Sequence, residues 1–515
     1  MHQAIQPVPP SMVPSSRPAP TSRNTAATTL RTLALRTLLP GFGGLEPPAW
    51  ALRLVREGLG GFALFGYNIA DSGQVARLTE ALRDARPDAV IAIDEEGGDV
   101  TRLCYASGSP YPGNAALGIV DDPDLTRRIY RQIGADVAAV GVTLNMAPTV
   151  DVNSVDENPA IGTRSFGADP QRVAAHAAAA VSGLQGAGVA ACAKHFPGHG
   201  ATTQDSHVDL PVVDASEELL WRRELPPFIA AISAGAKAVM TAHIRVPALT
   251  GVLPATFSPD ALIRLLRKEL GFGGAIVSDG LEMRAASGDI GIPEAAVRAL
   301  IAGNDLLCFG GEIGKGGDAE AVIEATAAAI VAAVQAGRLS AERLEEAAAR
   351  ASLLGGPVHA GRTGGPAEAD SELPLAVARA AVRLEGSLPS SIGLLVRLDT
   401  PPSVAVGEVP WGLTPFLSGV ECLAVDRPYD PAALLARAGD GAIVVFGRDI
   451  HRHAWARSLV EELCRRRPGV VLVEMGWPGR WRPAGATAYI ASFGASRANS
   501  RAVADLLTAA AAGRD

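Results

Sequence analysis

Short apolar runs recur along the first two-thirds of this 515-residue chain, and polar or charged residues stand at or close to the ends of most. They lie at residues 61–65, 90–94, 142–146, 189–194, 238–242, 274–278 and 305–308. Each is near-continuously apolar and partly β-branched, the pattern of a strand covered on both faces. Ala- and Leu-rich stretches of helical length separate them, for example 74–84, 170–187 and 261–270. Strand-then-helix alternation predicts a parallel sheet. Seven to eight such units fit a (β/α)8 TIM-like barrel, which takes about 250 residues and more with insertions.

The polar residues that end the runs sharpen this expectation. Asn68 follows the first, Asp94 ends the second, and Asn145 and Asp151 mark the third. Lys194 and His195 end the fourth, His243 follows the fifth and Asp279 the sixth. In a barrel those ends converge on one face, where active sites sit. A doubly wound open sheet is the alternative, and it would gather fewer of them.

A Gly/Pro-rich stretch at 355–374 reads as a linker between a barrel at 29–354 and a smaller α/β domain at 375–515. Strands are expected there at 391–397, 442–446, 470–475 and 488–492, with helices at 455–466 and 497–511. No Gly-rich phosphate fingerprint opens any of these units, which argues against nucleotide binding. Residues 1–28 are rich in Pro, Ser, Thr and Ala without an apolar run, so a disordered tail is expected there and not a signal peptide. No stretch is apolar and long enough to span a bilayer. The expected partners are therefore neither a membrane nor nucleic acid, the latter because the net charge is −8. A cytoplasmic location is the expectation. The five cysteines are odd in number and widely spaced, which reads as thiols and not as a disulfide framework or a zinc site.

Three of the nine histidines fall within thirteen residues, in Lys194-His195-Phe196-Pro197-Gly198-His199-Gly200 and Asp205-Ser206-His207. Pro197, Gly198 and Gly200 forbid a regular helix, so a loop leaves the fourth strand here. One reading has Lys194 and His195 binding substrate oxygens and His207 transferring a proton, with Asp205 orienting it. A metal site built from His195, His199, Asp205 and His207 is the rival. Against it, Lys194 at the same strand end would repel a cation, and no metal or other cofactor is expected.

Two further clusters carry carboxylates. In Ile276-Val277-Ser278-Asp279-Gly280-Leu281-Glu282, an apolar strand ends on Asp279, placed as a nucleophile or as a stabiliser of a cationic transition state. The bland alternative is that Asp279 caps the next helix, and Glu282 reads as a first-turn helix acid. In Ile93-Asp94-Glu95-Glu96-Gly97-Gly98, followed by Arg102, adjacent acids suit hydroxyl groups of a sugar. The alternatives there are a helix cap or an acidic metal loop. Arg164, in Arg164-Ser165-Phe166-Gly167, is a further candidate for sugar oxygens.

Taken together, LFGYNIAD, IDEEGG, APTVDVN, RSFG, KHFPGHG with DSH downstream, and VSDGLEM resemble glycoside hydrolase family 3, most closely its β-N-acetylglucosaminidase branch. They run in family order over about residues 40–350. Residues 375–515 resemble more loosely the α/β sandwich domain that many members append. The resemblance implies a barrel, a retaining mechanism, Asp279 as nucleophile, and His207 paired with Asp205 as acid/base. It implies sugar contacts from Asp94, Arg102, Arg164, Lys194 and His195, a small carbohydrate substrate, and cell-wall fragments or chito-oligosaccharides as its source. Two positions depart from the family pattern. Asp99 stands where Arg is usual, and Gly280 where a second Asp is frequent.

Other functions fit parts of this pattern. A sugar-binding protein without turnover would lack Asp279 or His207, and both are present. A glucosidase or xylosidase of the same family would lack the KHFPGHG…DSH loop. A histidine base is neutral where a carboxylate would repel phosphate, so phosphorolysis is an alternative to hydrolysis.

Overall fold

The computed structural model describes residues 30–204, 210–311, 316–356 and 371–512. The expected N-terminal tail and most of the expected linker lie outside these residues.

Eight short strands occupy the first part of the chain. They are β1 (Leu38–Pro40), β2 (Gly61–Leu64), β3 (Val90–Ile93), β4 (Leu144–Asn145), β5 (Ala190–Phe196), β6 (Ala238–Thr241), β7 (Ala275–Ser278) and β8 (Leu307–Phe309). β2 to β7 form a six-stranded parallel sheet in chain order. β8 pairs in parallel with β1, and a single parallel bridge from Leu306 to Val277 links it to β7. Chain-order parallel strands need a crossover between each pair, and the helices supply it.

The strands are buried on both sides. Their outward residues pack on helices such as Ser72–Ala85, Pro123–Ala139 and Pro170–Gly186. Their inward residues form one inner cluster to which every strand contributes, including Leu39, Ala63, Ala92, Leu144, Cys192 and Val277. Asp71, Asp122, Asp169 and Asp318 each start a helix by accepting backbone N–H bonds with the side chain.

A second six-stranded sheet follows. Its members are β9 (Arg383–Gly386), β10 (Ile392–Leu398), β11 (Cys422–Val425), β12 (Ala442–Gly447), β13 (Val470–Glu474) and β14 (Ala488–Ala491). The order is β11-β10-β12-β13-β14-β9, parallel except for β9 against β14. Apolar clusters cover both faces, with helix Ala454–Arg466 on one and Arg497–Ala512 on the other. Helix Leu373–Ala381 packs on Arg497–Ala512 and also on Asn114–Val120 of the first part.

The expected strands recur within a few residues, but three strands escape the apolar pattern. β1 is three residues long and follows helix Leu30–Arg36 after one residue, too short a run to stand out. β9 and β11 lie at the two edges of their sheet; β9 is exposed along its length and carries Arg383 and Glu385, while the apolar run of β11 is only four residues long.

Candidate active site

The turn after β3 is built by two left-handed glycines, Gly97 (φ 75°) and Gly98 (φ 62°). A Cβ on Gly98 would lie 2.4 Å from Gly113 Cα, so no larger residue fits. The turn sends its three acids to different places. Glu95 Oε2 accepts the backbone N–H groups of Arg102 and Leu103, and Asn145 brackets the Glu95 backbone from β4. Glu96 turns inward, and Asp94 faces the cavity beside it.

Glu96 is the hub. Arg164 forks onto it, with Nε 2.9 Å and Nη2 2.7 Å from its two oxygens, and Lys194 Nζ lies 2.7 Å away. Lys194 also donates to Asp94 Oδ1 at 2.6 Å. Burial alone would push the Glu96 carboxyl up, but the Arg164 and Lys194 charges outweigh it and hold it well below the usual carboxylate range. Burial would lower Lys194, yet Asp94 and Glu96 keep its ammonium above its ordinary value. Glu96, Arg164 and Lys194 therefore stay charged near neutral pH.

Asp151 plays the matching role for the glycine-rich loop. It accepts from the backbone N–H of His195 (3.2 Å) and His199 (2.6 Å), and from His195 Nδ1 at 2.7 Å. A carboxylate only accepts, so Nδ1 carries a proton, and Nε2 lies 3.4 Å from Arg164 Nη2. Burial would raise the Asp151 carboxyl, but the neighbouring His195 holds it below its usual value.

Asp279 leaves the end of β7. Its Oδ1 accepts from Gly280 N at 2.8 Å, while the next helix, Arg284–Ser287, starts only after Met283. Asp279 is thus not that helix's cap. His243 supports the turn, its ring nitrogens lying 2.7 Å from Thr256 Oγ1 and 3.0 Å from Gly280 O. Glu282, expected as a first-turn helix acid, lies outside the helix. Its Oε1 accepts from Gly311 N at 2.7 Å, and it faces the cavity. A Cβ on Gly280 would stand 3.0 Å from Glu282 Oε2, so a side chain there would displace this carboxyl.

These groups share one cavity of about 910 Å3. Asp94, Arg164, Lys194, His195 and Asp279 line it together, as does Arg102. Arg102 also reaches outward, with Nη2 2.7 Å from Ala405 O. His207 and Asp205 lie outside the described residues. Asn68, although at a strand end, is structural: its amide donates to Phe42 O and Gly44 O and accepts from Phe65 N.

Three contributors escape a residue-by-residue search for sugar ligands. Glu96 hides among adjacent acids, and Asp151 sits in APTVDVN away from its histidine partner. Residues 404–407, which form part of the cavity wall, come from the second sheet's side of the chain and carry no polar signal. Among the described residues no group of three or more His, Cys, Asp or Glu could hold a metal ion. Among them, too, no helix is long and apolar enough to cross a membrane.

Comparison with known proteins agrees with this layout. The model of the Glycosyl hydrolase family 3 N terminal domain matches residues 50–354. Beta-hexosaminidase A of Pseudoalteromonas piscicida is 34% identical over 329 residues, which are 60% of this chain and 55% of that protein. The chain thus spans only about half the length of that relative. Beta-hexosaminidase of Stenotrophomonas maltophilia (strain K279a) is 39% identical over 280 residues, 52% of this chain and 82% of that protein. A solved glycoside hydrolase family 3 beta-N-acetylglucosaminidase from Paenibacillus sp. str. FPU-7 is similar with a TM-score of 0.82 and 32% identity, covering 94% of this chain and 97% of that one. With more than half of its length matched by the family and its buried carboxylates, cations and histidine gathered around one cavity, this chain belongs to glycoside hydrolase family 3 and is a glycosidase.

Proposed function

We propose that the chain is an exo-acting, retaining β-N-acetylglucosaminidase that releases terminal β-linked N-acetylglucosamine. The observation that carries this reading is the shared cavity, which Asp279 lines together with a cluster of sugar-binding type made by Asp94, Lys194, Arg164 and His195. The hexosaminidase names of the relatives support the choice of sugar. On this reading the eight strands close into a (β/α)8 barrel at 29–354 and residues 375–515 form the appended sandwich domain. The inner cluster fed by all eight strands supports the first part.

The chemistry has two steps. Asp279 attacks the anomeric carbon as the bond to the leaving oxygen breaks, and His207, oriented by Asp205, gives that oxygen its proton. Water then attacks the same carbon, His207 takes its proton, and the bond to Asp279 breaks, so configuration is retained. Lys194, Arg164 and Asp94 offer charged hydrogen bonds to the sugar, and their mutual pairing holds them oriented before substrate arrives. No cofactor enters. Cell-wall fragments or chito-oligosaccharides are the proposed substrates and the cytoplasm the proposed location.

The test is turnover of nitrophenyl N-acetyl-β-glucosaminide against the glucoside, with product analysis by NMR. Preference for the first and release of the β-anomer are expected. Equal rates, or release of the inverted anomer, overturn the reading. Added millimolar phosphate is expected to leave the free sugar as main product; a sugar 1-phosphate in its place would make the enzyme a phosphorylase.

A further inference from the structure

We propose that Asp99 is a positioning residue through which the second sheet and its helices set the place of Arg164, so that this part of the chain works on the sugar site although it donates no catalytic group. The proposal rests on the glycosidase reading above. Asp99 is one of the two departures from the family pattern, and it lies partly buried at the junction of the two parts. Its Oδ2 accepts from Thr163 Oγ1 at 2.8 Å, and its Oδ1 accepts from Ala495 N at 2.8 Å. One carboxylate thus joins three segments: the glycine turn that carries Glu96, the turn Gly162–Arg164, and the loop after β14.

Thr163 immediately precedes Arg164. The Arg164 fork onto Glu96 and its approach to His195 both depend on where this turn sits. Asn114 fixes the far side of the turn by donating to Arg164 O at 2.7 Å. The segment just before the turn is held from the same side. Trp477 Nε1 donates to Asp156 Oδ1 at 3.0 Å, a His451 ring nitrogen lies 3.2 Å from Asp156 O, and Arg452 reaches Asn158 O. Asn158 in turn donates to His199 O at 2.9 Å, so the brace extends to the glycine-rich loop. The Arg448 guanidinium, stacked 4.5 Å over Trp411, supplies positive charge facing Asp99. Arginine at position 99 could not accept from either donor, which accounts for the departure by hydrogen bonding alone.

The full-length chain and its variants are assayed on the nitrophenyl N-acetylglucosaminide, with melting followed in parallel. Asp99→Ala is expected to lower kcat/KM roughly 10- to 100-fold, chiefly through KM, because displacement of a clamp by an ångström is costly. Thr163→Val, which deletes only the donated hydroxyl, should move KM in the same direction. Asp99→Asn keeps an acceptor for Ala495 and a partner for Thr163, and should stay within about threefold of wild type. In an Arg164→Ala background, Asp99→Ala should cost less than about twofold more, since it acts through the missing guanidinium. Multiplying losses in that double variant, or an unchanged KM in Asp99→Ala, would overturn the proposal. If Asp99→Ala does not fold, Thr163→Val decides alone, and an unchanged KM there overturns it. Should the wild type cleave only the glucoside, the function reading fails, and the Asp99 comparison is read on that substrate.

Discussion

The Lys194 ammonium lies 2.7 Å from Glu96 Oε1, and each side chain keeps only 2% of its surface exposed. A buried pair of this kind is weak as a source of stability but costly to break, because the surviving charge stays buried without its partner. Here two cations, Lys194 and Arg164, share the one carboxylate. Glu96→Ala should therefore destabilise the fold by roughly 3–5 kcal/mol and abolish sugar binding together. Urea unfolding of the variant checks it, and an unchanged midpoint would show that the cluster is held by packing and not by charge.

Asp279 supplies the proposed nucleophile from a turn that His243 supports from behind. Asp279→Ala should lower turnover on aryl glycosides by roughly four orders of magnitude or more. Its melting should stay within about 1 kcal/mol of wild type, as the side chain lines a cavity and fills no core. A 2-fluoro or 5-fluoro sugar incubated with the native enzyme should leave an adduct on this residue by mass spectrometry. An adduct elsewhere would move the nucleophile.

His207 is assigned to proton transfer from its motif. His207→Ala should slow substrates with poor leaving groups far more than nitrophenyl glycosides, because a good leaving group needs little protonation. A linear free-energy series over substituted phenols checks this. Equal losses across the series would turn His207 into a binding residue.

Glu224 lies under the glycine-rich loop, 1% exposed, with Oε2 lacking a hydrogen-bond partner among the described residues and pressed where a Gly198 side chain would stand. Burial pushes its carboxyl up to about 7, although Arg223 pulls the other way. The folded-state value thus exceeds the unfolded one. The contribution to stability is full below the unfolded value near 4.5 and is lost as pH rises through about 7. Glu224→Gln should remove a loss on the order of 3 kcal/mol across that window. Urea midpoints of both proteins at pH 4.5 and 8 give the measurement, and parallel pH profiles would refute it.

Much of this protein is legible in its sequence. Strands β2 to β7 read directly from the sequence, because a strand buried on both faces must be apolar along its length, and that is a local property. The site candidates Asp94, Lys194, His195 and Asp279 read from the same pattern, because a charge that ends such a strand is costly unless it is used. What the charges do to one another was not legible. Glu96 and Lys194 stand 98 residues apart, and only the sheet, which sets β5 two strands from β3, brings them within 2.7 Å. The pairing of Asp151 with His195 likewise arises across neighbouring strands. The edge strand β9 stayed hidden because it faces water along its length and loses its apolar signature. Part of the hold of the second part on the site runs through backbone atoms: the carbonyl of Ala405 accepts from Arg102 and the amide of Ala495 donates to Asp99. Every residue carries these groups, so no side-chain pattern can announce which of them tertiary packing will use.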